Sequence, residues 1–195
     1  MYKKLISEIW PFLREKGWKK RAETFFLEKD NNLGIINFQK SKTSAEDILF
    51  TINLGVSSSL IRKFQGEDLT QKPTIEDAHW RIRIGFLLLP KQDFWWKIDK
   101  NTITQHIASD VESILETKAI PEIEKHITDE NLEEMWLNGI SEGLTEFQRY
   151  IHLTTLLRLH KKENAGLIIN DFLNFAKGKA FEASAKVHIK TILEI

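Results

Sequence analysis

The sequence predicts an α+β fold: an N-terminal helix packed on a mainly antiparallel sheet of about five strands, followed by a C-terminal helical subdomain. Three observations carry that expectation. Between Thr24 and Asp99 apolar and polar residues alternate through successive short runs, the period of a half-buried strand. Most of these runs are joined by connections shorter than the roughly a dozen residues that a parallel crossover needs. From Asn101 onward the apolar period changes to that of a helix.

Tyr2 to Lys16 reads as an amphipathic helix with Leu5, Ile6, Ile9, Trp10, Phe12 and Leu13 toward one side. Pro11 lacks a backbone donor and crowds the preceding turn, so a kink or break is expected near Trp10, and Gly17 is a stop signal. Strands are then expected at Thr24 to Lys29 and Gly34 to Ser41. Asp30-Asn31-Asn32 separates them, residues that tolerate the left-handed backbone of tight hairpins. The third strand, Ile48 to Ser57, sets Phe50, Ile52, Leu54 and Val56 against Thr51, Asn53 and Gly55. After a helical turn around Leu60 to Phe64 and a polar loop from Gly66 to Pro73, the fourth strand is expected at Ala78 to Leu88, where Trp80, Ile82, Ile84 and Phe86 alternate with His79, Arg81 and Arg83. A short fifth strand, Asp93 to Ile98, would point Trp95 and Trp96 to opposite faces, one of them outside the sheet core and expected under the C-terminal helices.

In the second part Ile103, Ile107, Val111, Ile114 and Leu115 form one helical stripe, opened by Asn101 or Thr102 as cap. Pro121 starts a new helix at about Ile120, where its missing donor costs nothing. Thr128 to Asn131 opens another, and Thr145 to Lys162, Glu163 to Ala176 and Phe181 to Ile195 complete the set. The boundary falls near Asp99, giving segments 1–100 and 101–195. They are expected to pack together, because one helix over five strands leaves apolar surface uncovered.

With 195 residues, 42% of them hydrophobic, the chain can bury one substantial core unaided. The absence of cysteine excludes a disulfide framework, thiol catalysis and Cys-ligated zinc, and agrees with a reducing compartment. Lys3 and Lys4 resemble the start of a secretory signal, but Glu8 and Pro11 interrupt the apolar stretch that such a signal requires, so the expected location is the cytoplasm. No apolar run approaches the roughly 20 residues of a membrane span. Net charge is zero, yet residues 1–100 hold 18 basic against 13 acidic side chains and residues 101–195 hold 10 against 15, so the two parts attract.

One pattern is familiar. Phe12 with Gly17-Trp18-Lys19-Lys20, then Thr24-Phe25-Phe26, Asn37 to Ser41, Phe50 to Val56, and Trp80 to Gly85 with Asp93-Phe94-Trp95-Trp96 resembles a bacterial family known as domain of unknown function 4304. The resemblance spans about Leu5 to Leu115 and implies no activity, cofactor or catalytic residue.

Aligning the strands by their apolar sides gathers Asn37, Gln39, Ser41, Thr51, Asn53, His79, Arg81 and Arg83 on the other side. Of these, Asn37, Gln39, Asn53, His79, Arg81 and Arg83 are the candidate ligand-binding residues. Amides and guanidiniums suit a carboxylate or phosphate. Alternatively Arg81 and Arg83 pair with acidic residues of the later helices and fasten the two parts together. The six histidines show no three- or four-residue pairing of a helical metal site, so no metal and no cofactor are expected. No nucleophile elbow, phosphate loop or dinucleotide fingerprint appears, so no catalytic residue is assigned. Arg14, Lys16, Lys19, Lys20 and Arg21 around Trp18 form a basic cluster, but a neutral chain without a nucleic-acid module reads as no nucleic-acid partner. The expectation is a non-enzymatic interaction or binding protein, immunity-like in one form, with another protein as partner. The alternative is an enzyme or sensor for a small anionic ligand, with His79 as proton carrier.

Overall fold

Strand pairing follows chain order. A computed structural model describes residues 1–41 and 47–194. Its strands are β1 (Lys19–Arg21), β2 (Thr24–Lys29), β3 (Asn32–Lys40), β4 (Ile48–Ser57), β5 (Trp80–Arg83) and β6 (Trp96–Ile98). All pairings are antiparallel, in the order β1-β2-β3-β4-β5, and β6 pairs with the first residues of β4, so β5 and β6 share one edge of that strand in tandem. The β2–β3 hairpin turns on Asp30 and Asn31, both left-handed at φ 51° and 64°, as the composition of that stretch anticipates.

Opposed residues share a face, so the register separates two surfaces. On one lie Phe25, Ile36, Phe38, Phe50, Ile52, Leu54, Val56 and Trp80, all buried in the main core. Helix α1 (Tyr2–Glu15) covers part of it with Leu5, Ile9 and Leu13. Tyr2 adds a hydroxyl bond to the Phe38 carbonyl at 3.0 Å, and Trp10 stacks on Phe25. Beside α1 runs α3 (Thr104–Ile114), continuing through a π-helical turn (Leu115–Ala119) into α4 (Ile120–His126). Pro121 cannot donate to the carbonyl one turn back, and the wider π turn lies where that bond would form. The helix thus runs on through Pro121, whereas a fresh start was expected. At Gly34 the approach of α4 is so close that a Cβ would lie 2.7 Å from Ile123.

The remaining helices extend the core. They are α2 (Ser59–Phe64), α5 (Asp129–Leu137), α6 (Glu146–Leu159), α7 (Ala165–Ala176) and α8 (Glu182–Leu193). Ser58 caps α2, Thr128 caps α5, and Thr145 forms a reciprocal capping box with Gln148 at α6. Leu153, Leu156 and Leu157 of α6 join the same core as the sheet. Phe172 and Ile169 of α7 with Ala185, Ile189 and Ile192 of α8 make a second, smaller cluster beside Phe147 and Tyr150 of α6. No helix among the described residues is long and apolar enough to cross a membrane.

Several boundaries differ from the sequence reading. Lys19–Arg21, given no element in the sequence reading, is a sixth strand. The fourth predicted strand ends at Arg83, and Ile84–Leu87 is a 3-10 turn, leaving Phe86 45% exposed outside the ladder. The next loop packs on Gly85, where a Cβ would lie 2.1 Å from the Gln92 carbonyl, so only glycine fits this close approach. Helix α1 runs from Tyr2 to Glu15 through Pro11 without a break. Pro11 and Ser7 are both exposed, which leaves the freed carbonyl on the solvent side. Asn101 and Thr102 do not cap α3. Thr102 instead bonds Asp99, and α3 begins at Thr104.

Buried Asn32 ties three elements: Nδ2 donates to the Ile127 carbonyl at 2.9 Å and Asp129 Oδ1 at 3.0 Å, and Oδ1 accepts from Ser59 N–H at 2.8 Å. Asn32→Ala strands those buried groups and should cost roughly 2–4 kcal/mol. Urea denaturation checks it, and a loss below about 1 kcal/mol would mean that the tie is incidental.

Candidate functional site

The uncovered side of the sheet carries one transverse row. Arg21, Thr24, Asn37, Asn53 and Arg83 stand directly opposite one another across β1 to β5. Their side chains join: Asn37 Nδ2 donates to Thr24 Oγ1 at 2.9 Å, Asn53 Nδ2 to Asn37 Oδ1 at 3.3 Å, and Arg83 Nε to Asn53 Oδ1 at 3.3 Å. Asn53 Nδ2 also reaches Gln39 Oε1 at 2.9 Å. Trp80 and Arg81 point to opposite sides, as period-two alternation requires.

Both arginines at the β5 end hydrogen-bond to loops in their own half of the chain. Arg83 Nη1 donates to Asp93 Oδ1 at 2.8 Å, and its guanidinium lies 5.3 Å from the Trp95 ring. Trp95 Nε1 donates to the other Asp93 oxygen at 2.9 Å. These bonds, Arg83's first, hold the Asp93 carboxyl below its usual range. Arg81 donates to the Glu76 carbonyl and is pressed by Gly143, whose backbone is left-handed at φ 74° and where a Cβ would lie 2.2 Å from Arg81 Cγ. The expected pairing of these arginines with the acidic helices is therefore replaced by Asp93 and Glu76 of the loops. Trp95, expected under the C-terminal helices, sits beside Arg83 instead. A groove of about 540 Å³ opens here, lined by Gln39, Asn53, Arg81 and Arg83 with Ile75 and Phe86 as apolar walls.

His79 is not on this face. It precedes β5 by one residue, so the ladder does not orient it. Its Nδ1 accepts the Ser58 N–H at 2.9 Å, and its ring lies 4.8 Å from that of His152 on α6. Thr51 shares the polar side but is fully buried, and Ser41 lies past the end of β3.

The sequence reading missed two constellations. His79, His152 and His188 form a buried seam from the sheet to α6 and α8, with His188 Nε2 3.0 Å from Thr154 Oγ1. Burial pushes His152 and His188 down to about 4 and His79 well below its ordinary value, His152 and Arg62 adding to the effect on His79. Second, Glu122, His126 and Glu142 bring one donor atom each within 4.8 Å of one another, the group among the described residues that could hold a metal ion. It contains one histidine and so lacks the paired-histidine spacing of a helical metal site. The Glu122-x-x-x-His126 spacing was the available signal.

Residues 9–125 match the family described as Domain of unknown function (DUF4304). The chain belongs to this family. Its DUF4304 segment begins within α1 and ends inside α4, taking in the whole transverse row and Glu122 but not His126, Glu142 or the last four helices. No curated protein and no solved structure matches the chain.

The histidine seam makes this DUF4304 protein acid-sensitive. Between about 4 and 6.5 the unfolded chain binds protons that the folded one refuses, so stability is full above that window and falls as pH drops through it. For His152 alone the gap from 6.5 to about 4 corresponds to roughly 3 kcal/mol. Urea midpoints should decline from about pH 7 to about pH 4.5, and less steeply in His152→Leu; an unchanged midpoint contradicts the assignment.

Proposed function

We propose that this is a non-enzymatic binding protein of the cytoplasm that holds an acidic, extended segment of a partner protein along the open face of its sheet. The single observation behind this reading is the row Arg21–Thr24–Asn37–Asn53–Arg83, in which hydrogen bonds join the Thr24 hydroxyl, two amides and Arg83, with the Arg21 guanidinium opposite Thr24 at the other edge. Four strand spacings of about 4.8 Å separate its ends by roughly 19 Å, the length of some six extended residues. Arg81 adds a further cation in the groove, and Ile75 and Phe86 offer apolar contact beside it. With His79 on the far side, no imidazole lines that groove among the described residues, which supports binding over acid–base chemistry. A chain free of cysteine suits a reducing compartment.

The groove's volume favours a second reading, capture of a small anion by Arg81 and Arg83. One experiment separates the two. Tagged wild-type protein and an Arg21→Glu/Arg83→Glu variant are passed over lysate of the producing cells at low salt, and both are scanned for thermal shifts with inorganic phosphate and citrate. A partner retained by wild type and lost by the variant, with no anion-induced shift, is the expected result. Identical retained proteins overturn the reading, and a shift with phosphate or citrate that Arg83→Glu abolishes transfers it to the small anion.

A further inference from the structure

Beyond Arg81 and Arg83 the surface opens into an adjoining cavity of about 700 Å³, with Glu122 and Glu142 in its wall. Glu122 and His126 stand one turn apart on α4, so both side chains leave the same side of the helix. Glu142 arrives from the loop between α5 and α6. His126 is only 5% exposed: its Nε2 lies 3.1 Å from Glu122 Oε1, and its Nδ1 is buried without a hydrogen-bond partner. Outside the cluster nothing holds the polar atoms of this imidazole. Trp80 sets the geometry from below. The His126 ring lies 4.6 Å from the indole ring, and indole Nε1 donates to Glu142 Oε2 at 3.0 Å. One buried side chain therefore positions two of the three donors.

One donor atom each from Glu122, His126 and Glu142 lies within 4.8 Å of the others. Lys125 lies 3.4 Å from Glu122 on the surface, and Arg81, Arg83 and Lys91 share the wall of the same cavity. A divalent cation between the two carboxylates would replace that looser pairing with direct coordination.

We propose that Glu122, His126 and Glu142 form a binding site for a divalent transition-metal cation of the zinc type. One imidazole nitrogen with two carboxylate oxygens is a donor set for such borderline ions, whereas Mg²⁺ and Ca²⁺ prefer oxygen throughout. Glu122 and Glu142 line the cavity, from which water or an anionic group would complete the shell of a bound ion. The bound cation neutralises the paired carboxylates and adds positive charge beside Arg81 and Arg83. This site stands apart from the function proposed for the sheet face, because α4 and the Glu142 loop build it without the transverse row.

Titration calorimetry of the EDTA-treated, dialysed chain with ZnCl₂ tests it. The expected result is one Zn²⁺ per chain at micromolar affinity or tighter, without comparable binding of MgCl₂ or CaCl₂. Glu142→Gln keeps an acceptor for Trp80 Nε1, and it and Glu122→Gln should each weaken Zn²⁺ about tenfold or more. His106→Ala, at an exposed position of α3, should leave affinity unchanged. Co²⁺ in place of Zn²⁺ should give visible ligand-field absorption in wild type that Glu142→Gln removes. Absence of binding, Zn²⁺ affinity unaltered by both glutamine variants, or equal binding of Mg²⁺ and Ca²⁺ would overturn the assignment.

Discussion

One surface of the sheet is too apolar to meet water, and covering it dictates where α1, α3 and α4 go. Phe25, Ile36, Phe38, Phe50, Ile52, Leu54, Val56 and Trp80 present a continuous oily layer, each large side chain contributing roughly 1.5–3 kcal/mol when fully buried. A single helix about 10 Å wide spans only part of such a layer. The chain therefore lays α1 and the long α3–α4 rod side by side, and Gly34 lets the rod approach the strands closely. All of this helical mass lies on one side. The opposite face consequently keeps its amides and guanidiniums accessible, apart from the patch where Ile75 and Ala78 pack on Phe26 and Ile35.

Trp80 links the sheet core to the acidic cluster. Its ring belongs to the core, and its indole nitrogen reaches out of the core to Glu142. The same ring packs on His126, so one buried side chain touches two members of the cluster. Electrostatics are local as well. Opposite net charges on the two segments do not translate into Arg81 or Arg83 meeting acidic helices, because loops bring the Asp93 carboxylate to Arg83 and the Glu76 backbone carbonyl to Arg81. Ion pairs that cross between the parts, such as Lys16 with Glu116 and Lys29 with Glu124, lie at the surface.

A seam of neutral histidines joins the sheet to the last helices. Charged imidazoles could not be buried together with Arg62 nearby, so the packing of α6 and α8 against the sheet end presupposes their neutrality. His79, read from the sequence as part of the open face, is the member of this seam that belongs to the sheet side.

Period-two alternation was enough to place β2, β3 and β4, to oppose Trp80 to Arg81, and to group Asn37, Gln39, Asn53, Arg81 and Arg83, since it arises from the backbone of each strand alone. Helical stripes and caps marked α5 and α6 for the same local reason. Other features answer to distant atoms. The early end of β5 coincides with a loop packing against Gly85, and the orientation of His79 depends on the Ser58 amide. Alignment of residues 21, 24, 37, 53 and 83 into one row requires the register of four separate pairings. The meeting of Glu142 with Glu122 and His126 requires α5 to return the chain to Trp80. Periodicity is a property of neighbours along the chain, whereas register and convergence arise only when buried surfaces from remote segments close on one another.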